Sequence, residues 1–274
     1  MPEELVIGMR TGCHSNHPLG VRLQRWTRLL LNHVLLAAIG VGGMFFLPAL
    51  LASHRFREVF FAFIYTLIQR FMKKDMAVLR RAVVSPLDDM VSHDACLKAR
   101  GAVRLLEVGA AYGPNLEFIA RPVEYWTLEP NTNFEAALQR TLKENPNVEM
   151  KRVIHGYGED MAMLPDEHFD AVLLVYVLCT AKDGSKLLSE CKRVLAKGGC
   201  LLFAEHIGHK KGSFSRFLQD VMTPYTKNLA GGCHLNRDSE TLLTRAGFSN
   251  MIIHNIDLDI PVVLSRTIYG TAIA

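Results

Sequence analysis

The sequence predicts an α/β protein. It is read as a doubly wound, mostly parallel sheet with a C-terminal antiparallel hairpin, preceded by an N-terminal helical membrane anchor. Three observations carry this reading. Residues 103–207 alternate short apolar runs with amphipathic ones, the pattern of strands joined by helical crossovers. The last two apolar runs, 251–258 and 265–274, are joined by a connection too short for such a crossover and should pair antiparallel. Residues 29–53 carry no charged side chain. At 274 residues, 49% hydrophobic and 21% charged, the chain has room for one large domain and an appendage.

Residues 1–28 read as a polar and basic segment, followed by the embedded run "LLLNHVLLAAIGVGGMFFLPALLAS" at 29–53. That length suffices to cross a hydrocarbon core of ~30 Å. Arg22, Arg25 and Arg28 flank one end; Arg55 and Arg57 flank the other. A cleaved leader is excluded by the length and late start of the run. Asn32, His33, three glycines and Pro48 make it an imperfect span, so a hairpin embedded in one leaflet competes with a full crossing, and a buried core helix is the bland alternative. Residues 54–99 read as an interfacial, basic helical linker. Its apolar run 59–68 is too short to span, and Arg70, Lys73, Lys74, Arg80 and Arg81 follow it, as suits an anionic surface. The cationic excess behind the apolar run puts residues 55–274 in the cytosol. It also accounts for the net charge of +4, and no Lys/Arg-dense tract of the nucleic-acid kind is present.

The domain proper spans 100–274. "VRLLEV" at 103–108 is a buried strand and "NLEFIA" at 115–120 begins a helix. "VEYWTL" at 123–128 is the second strand, ended by Glu129-Pro130; a capped helix covers 131–145, and "VEMKRVI" at 148–154 is the third strand. "FDAVLLVYVL" at 169–178 is nearly continuous in apolar residues, as a central parallel strand should be. An amphipathic helix over 185–197 stops at Gly198-Gly199, and "CLLFAEHI" at 200–207 is the fifth strand. Helices near 213–229 and 237–246 precede the final hairpin.

Six cysteines lie at 13, 96, 179, 191, 200 and 233 with no C-x-x-C pair, and the eleven histidines show no H-E-x-x-H. The expectation is reduced thiols, no disulfide framework and no metal site.

In such sheets the ligand sits beyond the carboxyl ends of the strands, beside the first one. The loop there is "EVGAAYGP". A dinucleotide fingerprint starting at Gly109 would need glycine at 111 and 114; the sequence has Ala111 and Pro114, and proline lacks an N–H to offer a phosphate. The spacing is instead acid-x-Gly-x-small-x-Gly: Glu107, Gly109, Ala111, Gly113. It resembles the first motif of Rossmann-like S-adenosylmethionine (SAM) methyltransferases. That resemblance implies that SAM is the cofactor and that Glu107 binds its ammonium group. Gly109, Ala111, Gly113 and Asn115 would line the loop. Glu129, 22 residues after Glu107, would take the ribose hydroxyls beside Pro130 and Asn131. "GYGEDM" resembles the adenine motif, with Gly158 offering an N–H, Glu159 or Asp160 accepting from the adenine amino group, and Val175 on the strand beyond.

The match goes further. "LLEVG", "PNTNFE", "GEDM", "VLC", "GG", "EH", "GCHLNR" and "IYG" occur in that order. Together with the anchor they resemble the small membrane-anchored thiol S-methyltransferases, the methyltransferase-like 7 group of endoplasmic reticulum and lipid droplets, over about residues 100–274. The resemblance implies methyl transfer from SAM to an alkyl thiol or hydrogen sulfide, with membrane lipid as a partner and a cytosol-facing domain. Alternatives are methylation of a lipid, quinone or other hydrophobic acceptor, and a non-catalytic protein on this scaffold. The family's first motif usually reads Gly-Cys-Gly-Thr-Gly; here Tyr112 replaces the small threonine. His206, at the end of the fifth strand, is the candidate base or orienting group. Cys179, Asp183 and His234 are candidates for the acceptor pocket, and Met76 with the helix 70–84 for a cap.

Overall fold

The computed structural model describes residues 19–274, so most of the basic segment 1–28, with Cys13, lies outside the described residues. Helices α1 (Leu19–Ala52) and α2 (His54–Val84) meet at Ser53, whose Oγ accepts the Phe56 N–H at 3.2 Å and starts the second helix. They run antiparallel, and Arg28 reaches Asp75 at 3.0 Å. The expected short interfacial helix and the helix 70–84 are therefore one continuous element of 31 residues.

A short α3 (Ala95–Ala99) leads into the sheet. In chain order follow β1 (Val103–Val108), β2 (Val123–Leu128), α4 (Glu135–Glu144), β3 (Val148–Ile154), β4 (Phe169–Val175), α5 (Gly184–Val194), β5 (Leu195–His206), α6 (Phe214–Leu229), α7 (Ser239–Arg245), β6 (Ser249–Asp257), α8 (Val262–Ser265) and β7 (Arg266–Ile273). The strand order is β3-β2-β1-β4-β5-β7-β6, parallel through β5, with β7 antiparallel to both its neighbours. The expected sheet and terminal hairpin are both present.

Three local expectations change. The helix expected from "NLEFIA" is a single turn, Leu116–Phe118, after which Ile119 is already extended. Pro122 closes that route, because the residue before a proline avoids helical angles. The sheet face left bare is covered by α2: Met72, Met76, Leu79 and Val83 pack with Leu105, Leu116 and Tyr125. Met76 is thus core, not cap. Strand β4 ends at Val175 rather than 178, since Tyr176 turns left-handed with φ 59°. Helix α5 ends at Val194, ahead of the glycine pair, and Leu195 already pairs with Phe169. On the opposite face Leu187, Leu188, Cys191 and Leu243 pack on Leu106, Val172 and Leu201.

Candidate cofactor and acceptor site

The cofactor side is built where β1 and β2 end. Glu107 is buried; its Oε1 accepts the Asn115 Nδ2–H at 2.6 Å and its Oε2 the Tyr125 hydroxyl at 2.6 Å. Burial pushes its pKa up to about 7, against those two hydrogen bonds. The loop after β1 is left-handed at Gly109 (φ 69°), Ala111 (φ 47°) and Gly113 (φ 78°). A Cβ on Gly109 would lie 2.7 Å from Val177 Cγ2, so glycine is required there for space as well as angle. Alanine at 111 is held in its strained conformation by Glu129. That carboxylate accepts the Ala111 N–H and the Asn131 N–H, both at 2.9 Å. Burial raises the pKa of Glu129 as well.

Helix α2 closes this side. Phe61, Ala62 and Tyr65 pack on Ala111 and Phe134, and Asn131, next to the half-buried Pro130, donates to the Glu58 carbonyl at 2.9 Å. The Tyr112 ring meets the Tyr65 ring edge-on at 6.2 Å, so it leans on α2. Residues 58–65 of α2 thus lie over Ala111 and Tyr112, and the stretch 70–84 meets the same loop farther on, at Asn115 and Glu117. Farther along, Arg80 is 3% exposed; it donates to Asn115 Oδ1 at 3.0 Å and to Gln69 Oε1 at 2.6 Å. Arg80, expected among the surface cations, is thus buried. Its clue was register, since Arg80 shares the buried face with Met72, Met76, Leu79 and Val83.

At the next switch, a Cβ on Gly158 would lie 2.3 Å from Leu187 Cδ1 and 3.0 Å from Val108 Cγ1, a close approach that favours glycine. Glu159 accepts the Lys182 N–H at 2.7 Å, tying this loop to the segment after β4; Asp160 is exposed and accepts the Ala162 N–H at 3.3 Å. Val175 is half-buried at the end of β4. The groups gathered here suit SAM. Two buried carboxylates, Glu107 and Glu129, and a buried guanidinium, Arg80, gather round one loop, a donor and acceptor set with partners to offer an ammonium, a diol and a carboxylate.

The acceptor side lies at the ends of β4 and β5. Glu205 is fully buried and accepts the N–H groups of Val177 (2.7 Å), Leu178 (2.7 Å) and Cys179 (3.4 Å). It thereby shapes the turn that carries Cys179. The adjoining His206 ring stacks on Tyr176 with centroids 5.9 Å apart. Its Nε2 lies 3.2 Å from Cys233 Sγ. Cys179, His206 and Cys233 are all buried, and one donor atom from each falls within 4.8 Å of the others. The hydrogen bond from Cys179, followed by the charge of His206, holds the Cys233 thiol well below its ordinary pKa. Burial alone would lower His206, but the sulfur of Cys233 and the Glu205 carboxylate raise it. Cys179 is pushed up by the same bond to Cys233 and by burial.

Residues 233–237 clasp this turn. The His234 N–H donates to the Cys179 carbonyl at 2.9 Å, and Arg237 donates to the carbonyls of Leu178 and Ala181, each at 2.5 Å. The His234 ring is half-exposed and outside the three-residue cluster, and Asp183 is the exposed cap of α5, accepting the Lys186 N–H at 3.0 Å. Of the residues singled out by sequence, Cys179 and His206 stand in the cluster, and His234 and Asp183 stand beside it, with Cys233 as the third member. The expectation of no metal site rested on local spacing, and three donors do converge here from separate segments.

The chain is similar to known methyltransferases. Residues 106–203 match the family described as a methyltransferase domain. Thiol S-methyltransferase TMT1B of Rattus norvegicus is 34% identical over 186 residues, which is 68% of this chain and 73% of that protein. Thiol S-methyltransferase TMT1A of Homo sapiens is 32% identical over 201 residues, 73% of this chain and 80% of that protein. Among solved structures, a SAM-dependent methyltransferase from Thermotoga maritima, a possible histamine N-methyltransferase, aligns with a TM-score of 0.53 at 16% identity. It covers 78% of this chain and 98% of its own, a likeness of fold alone.

Proposed function

The chain belongs to the thiol S-methyltransferase family of SAM-dependent methyltransferases, and we propose that it methylates a small or hydrophobic thiol, such as an alkyl thiol or hydrogen sulfide, taken from a membrane surface. Bound SAM supplies a methyl group activated by its positive sulfonium sulfur. In this reading Glu107 holds the ammonium end and Arg80 the carboxylate. Glu129 takes the ribose hydroxyls, with Asn131 and Pro130 beside it. Gly158, Glu159 and Asp160 meet the adenine, and Val175 walls the pocket.

The observation that carries the thiol assignment is the buried cluster Cys179, His206 and Cys233 beside the ends of β4 and β5. It is a soft, dry surface suited to an acceptor sulfur. A free thiol has a pKa of about 8.5, so a few per cent is thiolate at neutral pH and a strong base is optional. What the chain must supply is alignment and exclusion of water. The Glu205 brace, the Arg237 clasp and the Tyr176 stack fix His206 and Cys179 for that role.

Membrane association is supported by α1, whose stretch Trp26–Ala52 is long and apolar enough to cross a bilayer. The run 29–53 belongs to one continuous helix, Leu19–Ala52, so no hairpin forms within it; an in-plane hairpin of α1 and α2 fits better than a crossing. Asn32 bonds Asp75 at 3.4 Å, His33 faces the Val262 N–H at 3.4 Å, and a Cβ on Gly43 would meet the Leu229 side chain at 3.0 Å. Helix α1 thus lies along the domain, and a crossing would have to strip these contacts. The family resemblance adds endoplasmic reticulum or lipid droplet as the membrane, with the domain on the cytosolic side.

The test is the purified full chain with labelled SAM, offered small alkyl thiols, hydrogen sulfide and phenols. Label transfer to thiols is expected. Transfer to phenols with none to any thiol would replace this reading with another acceptor class.

A further inference from the structure

We propose that Cys179, His206 and Cys233 form a binding site for a zinc-class divalent cation, with a fourth position open to the acceptor sulfur. The role of that open position rests on the thiol reading above; the ion site itself does not.

The donor set comes first. Two cysteine sulfurs and one imidazole nitrogen converge from the turn after β4, the end of β5 and the turn after α6. Sulfur and imidazole favour zinc over magnesium or calcium, which prefer oxygen. Three protein ligands with one open position is the arrangement of a reactive zinc centre, whereas structural sites fill all four.

Spacing is the second point. Zinc bonds of about 2.3 Å to sulfur and about 2.0–2.1 Å to nitrogen put tetrahedral donors roughly 3.5–3.8 Å apart. The His206–Cys233 pair is at 3.2 Å, and the whole set lies within 4.8 Å. Rotation of a cysteine about its Cα–Cβ bond covers the remaining difference.

The surroundings are the third. Each ligand is held by something else. Cys179 sits on the turn fixed by Glu205. His206 lies in the β5–β7 ladder opposite Thr267 and stacks on Tyr176. The Cys233 N–H donates to the Ala230 carbonyl at 3.0 Å. No carboxylate side chain completes the set, because Glu205 is committed to three backbone N–H groups. A dication with two thiolates is neutral overall, which suits a site whose members are 2%, 2% and 8% exposed.

The chemistry balances without any redox step. Ion binding displaces the two thiol protons to solvent, and the second ring proton of His206 where that ring is charged; the neutral imidazole keeps its other N–H. An incoming thiol then forms a sulfur–metal bond and loses its own proton to solvent, and the metal stays divalent throughout. The acceptor is thereby presented as a thiolate, with its pKa lowered by the cation.

The experiment uses the full chain purified without chelators, incubated with zinc under reducing conditions and dialysed, then analysed for metal. Stoichiometric zinc is expected. Cys179→Ser and Cys233→Ser should each weaken binding by more than ~100-fold, while Cys96→Ser, an exposed cysteine elsewhere, should not change it. Should the serine variants misfold, the wild-type protein loaded with cobalt(II) decides. Intense tetrahedral bands with sulfur-to-cobalt charge transfer, shifted by an added alkyl thiol, support the site. Absence of bound zinc, or cobalt bound without sulfur bands, overturns it. Thiol methylation by metal-free protein would overturn the role of the open position while leaving both the ion site and the thiol reading intact. Zinc binding without thiol methylation would support the ion site and overturn that reading.

Discussion

Arg80 on α2 and Asn115 on the cofactor loop share a buried hydrogen bond of 3.0 Å. Asn115 passes the contact on, donating to Glu107 at 2.6 Å, so a cation on the N-terminal helices is linked through one amide to the acid of the cradle. The hydrogen-bond partners of Arg80 include the amides of Asn115 and Gln69 and the hydroxyl of Tyr65, and a guanidinium this buried gains most from a direct anion. A SAM carboxylate would supply one. Arg80→Met should therefore weaken SAM binding by ~10–100-fold, the equivalent of losing a charged hydrogen bond worth about 1.5–3 kcal/mol. Calorimetric titration measures it. Unchanged affinity would reduce Arg80 to a packing role.

Glu107 gives a pH dependence with a definite sign. Its folded pKa of about 7 lies above the ordinary value for a glutamate. Between those values the native state binds the extra proton. The stabilising contribution is therefore full at low pH and is lost as pH rises through about 7. Cofactor binding runs the other way, because an ammonium needs the carboxylate. SAM affinity should rise across the same range, and binding below it should release protons, read as a dependence of the calorimetric heat on buffer. Glu107→Gln should bind weakly at all pH values and release none.

Much of this was readable in the residues. Buried parallel strands announce themselves as continuous apolar runs, and 103–108, 123–128 and 148–154 form strands with the expected bounds. The antiparallel hairpin followed from loop length. The failures share one cause, namely that local pattern does not record convergence. Nothing near "NLEFIA" says that α2, more than thirty residues upstream, covers the face its helix would have covered. Nothing in the sequence separates Cys233 from His234 as the residue that faces His206. The charge of Arg80 read as surface because its neighbours Lys73, Lys74 and Arg81 are cations.

The Glu129–Ala111 bond has two functions, and mutation should reveal both. Glu129→Ala removes the proposed ribose acceptor and also frees two loop N–H groups, those of Ala111 and Asn131. SAM affinity should fall by at least ~100-fold, and amide exchange of the 109–113 loop should speed up even without SAM. Glu129→Gln keeps an acceptor for one N–H and should lose less of each. Unchanged affinity in both variants would move the ribose site elsewhere.

Ala111→Gly should stabilise the fold. A non-glycine residue in the left-handed region costs roughly 1–2 kcal/mol, and at φ 47° Ala111 bears that cost. The extra chain entropy of glycine takes back roughly 0.5–1 kcal/mol. The net gain of up to ~1 kcal/mol corresponds to ~2–4 °C in Tm for a domain of this size. Scanning calorimetry checks it. A lower Tm would mean that the alanine methyl, buried against Phe134 and Ala62, outweighs the strain.

The membrane association proposed above can be tested at three exposed side chains. Phe45 (82% exposed), Phe63 (66%) and Phe214 (74%) project from α1, α2 and α6, and large exposed apolar side chains on three neighbouring helices suit one embedded face. The Asn32–Asp75 and Gly43–Leu229 contacts tie α1 to that same body. An in-plane hairpin leaves both chain ends on one side of the bilayer; a crossing separates them. With epitope tags at the two termini in sealed microsomes, both should be cut by added protease before detergent is present. Protection of the N-terminal tag alone would establish a crossing. Phe214→Ser with Phe217→Ser should also weaken partitioning of the full chain into lipid vesicles. Each buried phenylalanine contributes about 1.5–3 kcal/mol, so even partial insertion of the pair amounts to a loss of ~10-fold or more. An anchor confined to α1 would leave that partitioning unchanged, and the loss would therefore assign α6, the helix beside the Cys179–His206–Cys233 cluster, to the lipid-facing surface.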